Sequence, residues 1–527
     1  MSSKQNLYVV GFIASILIIL ANFLYAQSLT ESQWVYPLDD TYIHMSIGKN
    51  IANHGVWGVT ANQFAPASSS ILYSILMAGG FVFTDSIYLP IYLNVIALLL
   101  LFVCLYFVSK GLKWERSTDL IMIAAIIILV PVHTLVLSGM EHVWQLAINV
   151  LAFYVLSKSF VEDKQRGVSI LFVGILLTFI RFEGLFITAV AASIFVLQGK
   201  HKSWMLLSLG ALIPIVTYGV FAYLQGGFPV PNSVLIKADK PTLDLLGMLN
   251  YVQVWLRKME ATHYLYGLFM MLFFSVSYFV HREQKLGFWG YYAILLAGTT
   301  VLHLTFARTG WLYRYDAYII ALAVITIVGV GQSLAGELKK QHLFTKLALG
   351  FGVFLLLHPL LVRTGQASLE TPQASKNIYE QQIQMAKFVH EYFDGKAIAV
   401  NDIGAVAYFN DIELLDLYGL ASMDIARLRA SKQYNKAGIQ QVLSQQSPSL
   451  MIIYDGWFEG MIPEGWQKVG EWKISNNVIC AFENVSFYAP SEEQTSELKS
   501  YLKAFEDKLP SEINVSYVSE TDLLTQQ

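Results

Sequence analysis

A polytopic helical membrane protein with a soluble α/β domain behind its last span is the fold class this sequence predicts. Three observations carry that reading. Of 527 residues, 55% are hydrophobic and 14% charged, a balance that excludes a water-soluble globular chain. Apolar runs of spanning length recur up to residue 363. From about residue 364 Gln, Ser, Lys and Asp rise, and short β-like runs such as 397–400 and 450–454 alternate with helical pattern.

Taken in order, the chain opens with Lys4 and an apolar run of about 18 residues to Tyr25. Leu24-Tyr25-Ala26 loosely fits a signal cleavage site, but the run is long enough to span and is read as an uncleaved first helix. Further runs near 90–109, 119–137, 143–160, 167–180, 184–198, 204–224, 263–281, 287–306, 316–336 and 345–363 bring the total to about eleven helices. The run from Ile71 to Phe83, about 13 residues, is short for a crossing and reads as interfacial or re-entrant. With the N-terminus inside, that choice makes every inner loop basic: Lys110, Lys113 and Arg116; Lys164 and Arg166; Lys200 and Lys202; Arg282 and Lys285; Lys339, Lys340 and Lys346.

The outer face then receives 27–89, the Ser138–His142 turn, Arg181–Glu183, 225–262, Ala307–Tyr315 and everything after 363. These segments hold the unusual polar residues, so chemistry is expected there. The expected division is a transmembrane unit, 1–363, with 27–89 as its first outer loop, and an outer α/β domain, 364–527. The tail from about 491 reads first as an amphipathic helix, then as a loose end. A net charge of −3, with no basic patch, argues against a nucleic-acid partner, and Cys104 and Cys480 sit too differently to form a disulfide.

The sharpest local signal is Trp34-Val-Tyr-Pro-Leu-Asp39-Asp40-Thr-Tyr42-Ile-His44. Neighbouring side chains diverge on a helix or turn, so the two acids are expected to have different tasks; a solvated acid pair is the plainer alternative. Glu141 and His142 start a helix, where an acid also complements the helix dipole. Arg181 and Glu183 interrupt an apolar stretch and must be paired or line a wet cavity. A Pro-rich connection delivers Lys237 to the outer face. His303, Arg308, Arg314 and Asp316 cluster around the next outer turn among Trp311, Tyr313 and Tyr315; a local Arg314–Asp316 ion pair competes with phosphate binding. Asp39, Asp40, Glu141 and His142 are acceptable ligand types for a divalent metal, with Asp39 and Glu141 first. There is no Walker loop, HExxH, CxxC pair or Gly-x-Ser-x-Gly elbow.

These residues together resemble the GT-C superfamily of membrane glycosyltransferases that use polyprenyl-phosphate sugars, and within it the terminal arabinofuranosyltransferases of the mycobacterial envelope. The resemblance rests on Asp39-Asp40-Thr-Tyr42-Ile with Asn50 or Asn53 and Gly55, Ser138-Gly-Met-Glu141, Arg181-Phe-Glu-Gly184, Pro231-Asn232 with Lys237, and Arg314 ahead of a long helix. It extends to Asn401-Asp402-Ile-Gly404 and Leu415-Asp416-Leu-Tyr-Gly419. Phe182, and the segment Ala65-Pro66-Ala67-Ser68, depart from the family pattern. The resemblance implies a GT-C architecture with interfacial helices in a catalytic first outer loop, in the bacterial inner membrane with the site on the periplasmic side. It implies transfer from a polyprenyl-phosphate sugar to an envelope glycan or glycolipid. Asp40 is then the first choice for base and Asp39 its partner or a metal ligand. Arg181, Lys237 and Arg314 become phosphate candidates, and Glu141, His142, Glu183, Tyr42 and His44 substrate contacts. The rival readings are a transporter or flippase for lipid-linked glycans, using the acids for proton coupling, and a non-catalytic scaffold.

Overall fold

The computed structural model describes residues 3–162, 167–237, 245–283 and 286–518. Lys164, Arg166 and Lys285, expected in inner loops, lie outside them, as do the side chains of Lys237 and Arg282.

Helix α1 (Ser3–Ser28) is followed by two short helices of the first loop, α2 (Asp39–His54) and α3 (Ile71–Phe81), and then by α4 (Leu89–Leu112). The run expected as one helix over 119–137 is two, α5 (Arg116–Leu129) and α6 (Val132–Leu137). Pro131 is the reason: the residue before it, Val130, is driven to an extended backbone, and the ring cannot accept a continuous helix behind it. The bundle continues through α7 (His142–Val161), α8 (Gly167–Ile180), α9 (Gly184–Leu197), α10 (His201–Leu224), α11 (Asn232–Lys237), α12 (Leu245–Ala261), α13 (Tyr266–Glu283), α14 (Phe288–Phe306) and α15 (Ala317–Lys340). Among the described residues, six helices are long and apolar enough to cross a membrane by length and composition: α1, α4, α7, α10, α15 and the one beginning at Leu343.

That last helix, α16 (Leu343–Ile378), does not stop where the composition changes near 363 but carries the chain onward to a short π turn and α17 (Gln384–Tyr392). A mixed six-stranded sheet follows, in the order β2-β1-β3-β5-β4-β6. Its strands are β1 (Ala397–Val400), β2 (Glu413–Asp416), β3 (Leu450–Ile453), β4 (Gln467–Lys473), β5 (Asn484–Ala489) and β6 (Asn514–Tyr517), and its helices α18 (Gly404–Phe409), α19 (Met423–Ala430), α20 (Lys436–Gln446) and α21 (Thr495–Glu506). The tail is less loose than its composition suggests: α21 packs Leu498, Leu502 and Phe505 on the sheet, and β6 pairs antiparallel with β4.

Two constraints hold the bundle. Charge buried at one end is satisfied: Asp119 accepts from Tyr8 (2.9 Å) and Ser109 and pairs with Lys4 at 3.0 Å. Helices α8 and α10 cross at backbone contact, where a Cβ on Gly210 would lie 2.2 Å from the Leu171 carbonyl and one on Gly174 2.4 Å from that of Leu207. Gly210→Leu is therefore expected to destabilise by at least the ~1–3 kcal/mol typical of overpacking, read as a lowered thermal midpoint in detergent.

Helix α2 is a wedge between two cores. Its Tyr42 and Met45 join the bundle core, while Ile43 and Ile47 pack with Phe388, Ile398, Val400 and Val406 of the sheet domain. Whatever stands at the start of α2 therefore faces both halves of the molecule.

Candidate active site

The two acids at the start of α2 go separate ways. Asp39 turns to the sheet domain, where its carboxylate accepts the N–H groups of Gly404 (2.6 Å) and Ala405 (2.8 Å). Gly404 is required by this approach, since a Cβ there would sit 2.1 Å from the Asp39 carbonyl. Asp40 turns to the bundle and pairs with Arg314 at 2.7 Å, its side chain about 25% exposed. The local Arg314–Asp316 pair does not form. Asp316 instead takes Arg363 of α16 at 2.9 Å, and Arg314 is left with Nε and Nη1 buried and without a hydrogen bond.

Behind Asp40 lies a second cluster centred on Glu141, which is fully buried. Arg181 Nη1 donates to it, His44 Nε2 lies 3.8 Å away and Ser69 Oγ 3.4 Å. Arg181 is also gripped by Glu183, at 2.6 and 3.1 Å. Burial pushes the Glu141 carboxyl up, but the charge of Arg181 outweighs it and holds the group below the usual carboxylate range. His142 stands 3.4 Å from the Arg181 guanidinium, and its ring meets Tyr315 edge-on at 5.7 Å. Tyr315 also lies under both guanidiniums, with Arg314 at 4.8 Å and Arg181 at 5.6 Å.

Two cavities meet at Asp40. One, of about 380 Å³, is mostly apolar and runs between α9, α10 and α11, lined by Ile43, Met140, Phe182, Leu185, Phe186 and Val230, with His44, Arg181, Glu183 and Arg314 at its polar end. The other, of about 320 Å³, lies under the sheet domain and is lined by Asp39, Gln382, Asn401, Asp402, Tyr418 and Trp457, among others. Asp40, Arg308, Tyr315 and Leu420 border both. The turn that delivers Tyr418 and Leu420 is folded on Asp416, whose carboxylate accepts the N–H groups of Tyr418, Gly419 and Ala421. Asn232 ties the Pro231-Asn232 connection to the same turn by donating to the Leu420 carbonyl at 3.1 Å.

Not every residue singled out in the sequence reaches a cavity. Tyr42 is fully buried, its hydroxyl accepting the Tyr36 N–H and its ring packed on Tyr408 and Phe409, so it fixes α2 against α18 rather than meeting a substrate. Glu141 and His142 stand behind the wall and orient Arg181. Lys237 ends α11, its side chain outside the described residues. The metal expectation on Asp39 and Glu141 does not fit: both oxygens of Asp39 accept backbone N–H groups, Oε1 of Glu141 is taken by Arg181, and no group of three or more His, Cys, Asp or Glu among the described residues could hold a metal ion.

Sequence reading passed over two contributors. Arg308, named only as part of a cluster, borders both cavities and makes no ion pair among the described residues, unlike Arg181 and Arg314. Asp402 lies against Asp39 and accepts from Gln382 (2.7 Å) and Tyr454 (2.8 Å). Only its neighbour relation to Gly404 in the motif hinted at this.

Two predictions follow from these charges. Glu141→Gln strands Arg181 with one partner, and breaking such a buried pair costs about 3–5 kcal/mol, read as loss of folded protein on size exclusion or a lowered thermal midpoint. For Asp39, burial and then the nearby Asp402 charge raise the carboxyl well above its ordinary value, against the two N–H groups. The folded state therefore binds more protons than the unfolded one, and stability falls as pH rises from about 4 through the raised value. Asp402→Asn is expected to flatten that slope in a melting series from pH 5 to 9.

A domain of unknown function (DUF8728) matches residues 376–488. No curated protein matches the chain in sequence. Among solved structures, ArnT from Cupriavidus metallidurans bound to undecaprenyl phosphate aligns over 93% of this chain and 99% of its own at 11% identity, with a TM-score of 0.50. The Archaeoglobus fulgidus oligosaccharyltransferase aligns over 93% and 74% at 11% identity with a TM-score of 0.47, and arabinofuranosyltransferase AftD from Mycobacteria over 93% and 42% at 12% with 0.43. The chain shares its fold with that ArnT structure.

Proposed function

We propose that the protein is a glycosyltransferase that moves a sugar from a polyprenyl-phosphate donor to an envelope glycan or glycolipid on the outer face of the inner membrane. The observation that carries this reading is the placement of Asp40 at the junction of an apolar and a polar cavity. An isoprenoid donor needs an apolar channel ending in positive charge, and a hydroxylated acceptor needs a polar pocket open to the domain side. Both meet at one carboxylate. The undecaprenyl phosphate bound to the Cupriavidus protein of the same fold is a ligand of the chemistry the apolar cavity would take.

In this reading Asp40, oriented by Arg314, accepts the proton of the acceptor hydroxyl. The acceptor oxygen bonds to the anomeric carbon, and the bond from that carbon to the phosphate oxygen breaks with both electrons going to phosphate. The developing negative charge needs a cation that is not already neutralised. Arg181 is held between Glu141 and Glu183, and Arg314 is shared with Asp40. Arg308 carries no such partner among the described residues and borders both cavities, so it takes the leaving phosphate, with the unspent Nε and Nη1 of Arg314 beside it.

Asp39 in this scheme is a positioning residue that holds the domain over Asp40. With purified protein in lipid and a panel of polyprenyl-phosphate sugars, Asp40→Asn is expected to lose about 10²- to 10⁴-fold in turnover while remaining folded. Arg308→Ala loses about ten- to a hundredfold in kcat/KM, the worth of one charge-assisted hydrogen bond. Unchanged turnover in Asp40→Asn would sink the assignment of the base.

A further inference from the structure

The turn that follows α14 has an unusual backbone. Trp311, Leu312 and Tyr313 have φ of 43°, 52° and 62°, three consecutive side-chain-bearing residues in the left-handed region, each at a cost of order 1 kcal/mol. The turn holds Trp311 about 49% exposed, an expensive position for the largest apolar ring in the chain. On one side Trp311 borders the polar cavity under the sheet domain. On the other it borders a third cavity, of about 670 Å³, which lies between the turn, Tyr264 and the 358–370 stretch of α16. Thr309, Trp311 and Ile479 belong to both walls, so the third cavity continues the second.

The walls of this third cavity are fixed. Arg363, buried and paired with Asp316, donates to the Tyr313 carbonyl at 3.1 Å. Its guanidinium lies 4.8 Å from the Tyr264 ring and 5.0 Å from that of Tyr313. Tyr313 in turn donates to Glu370 at 2.5 Å. Rigid aromatic faces thus alternate with hydrogen-bonding side chains, Glu370, His358 and Gln366.

That mixture is chemically selective. The C–H face of a pyranose or furanose ring carries slightly positive hydrogens that complement the negative face of an aromatic ring, and its hydroxyls need carboxylate, amide or imidazole partners. An anionic headgroup is disfavoured, because the buried Arg363 of the lining is already neutralised by Asp316 and Glu370 adds negative charge.

We propose that this third cavity is a distal subsite for a neutral glycan. The acceptor is then a chain of sugars lying from the pocket at Asp40 across Trp311 and into the space beside α16, rather than a single sugar headgroup. This rests on the transferase reading for the identity of the acceptor, but the binding it asserts does not require turnover.

The test uses the full-length protein in nanodiscs, without donor, titrated by calorimetry with size-fractionated neutral glycans released from the source organism's envelope. Affinity is expected to rise with chain length beyond the first one or two sugars. Trp311→Ala, and Gln366→Trp, which fills the cavity from an exposed helical position, are each expected to remove about three- to tenfold of that gain, the size of one aromatic stacking contact. Gln366→Trp, which touches the third cavity and not the second, should leave binding of the shortest fraction unchanged, a readout that a merely misfolded variant could not give. No binding of any fraction, length-independent binding, or full retention of the gain in both variants would overturn the proposal. So would native mass spectrometry showing that wild type retains a phospholipid that Gln366→Trp has lost, which would assign the cavity to a lipid. Glycan binding that rises with length in a protein that transfers no sugar would instead sink the transferase reading and leave this one standing.

Discussion

A charge placed where helices meet lipid has to be neutralised by another charge or by ordered donors, and the arrangement of this molecule follows from that requirement. Three arginines near helix ends have each found a carboxylate from a distant part of the chain: Arg181 takes Glu141, Arg314 takes Asp40 and Arg363 takes Asp316. These pairs tie the first loop to α15 and α16 and the α6–α7 turn to the α8–α9 turn. They are weak evidence for stability, since desolvation offsets much of the attraction. Their consequence is geometric, because an arginine with a fixed partner presents its remaining donors in a fixed direction. Arg308, which borders both cavities, makes no such pair among the described residues.

The second organising element is the splitting of Asp39 and Asp40. Adjacent residues at the start of a helix point apart, and here the divergence is used to join two bodies. One acid caps backbone N–H groups of the sheet domain and the other meets an arginine of the bundle. Because Tyr42 and Met45 are held by one core and Ile43 and Ile47 by the other, α2 cannot rotate without disturbing both. Asp40 is thereby placed on a rigid element at the seam, as preorganisation of a transition state would require of the proposed base.

Much of this architecture was legible in the sequence. Each apolar run expected as a span falls on a helix or, over 119–137, on two, because backbone hydrogen bonds in an apolar run have to be satisfied internally, but among the described residues six of the eleven expected helices are long and apolar enough to cross a membrane. Two boundaries were misjudged for local reasons. Pro131 breaks the 119–137 run, a signal present in the sequence and outvoted by hydrophobicity. The composition change near 363 falls inside α16, since a helix leaving the bilayer can turn polar without ending. The Asp pair, Glu141, Arg181 and Arg314 were found because charges stand out against apolar surroundings. Their partners were not: Asp316 prefers Arg363 to Arg314, and Asp402 meets Asp39 across the domain seam, pairings that are set by tertiary contact and leave no trace in spacing. Tyr42 was misassigned for the same reason, as an aromatic beside an acid pair reads alike whether it faces a ligand or a core.

The placement of the acids also bears on the choice between chemistry and transport. Acids that couple proton movement to substrate translocation sit near the midplane, on broken helices that can open to either side. Here Asp39 and Asp40 begin α2, Glu141 precedes the first residue of α7 and Glu183 the first of α9, all at helix ends. The middle of the bundle is filled by apolar side chains, among them Leu98, Leu101, Leu146, Phe153 and Leu296. Asp40 stands at a helix start, backed by a packed interior and facing two cavities of opposite polarity. Its geometry suits a reaction in which an apolar tail stays in the membrane and only the group at its head changes owner.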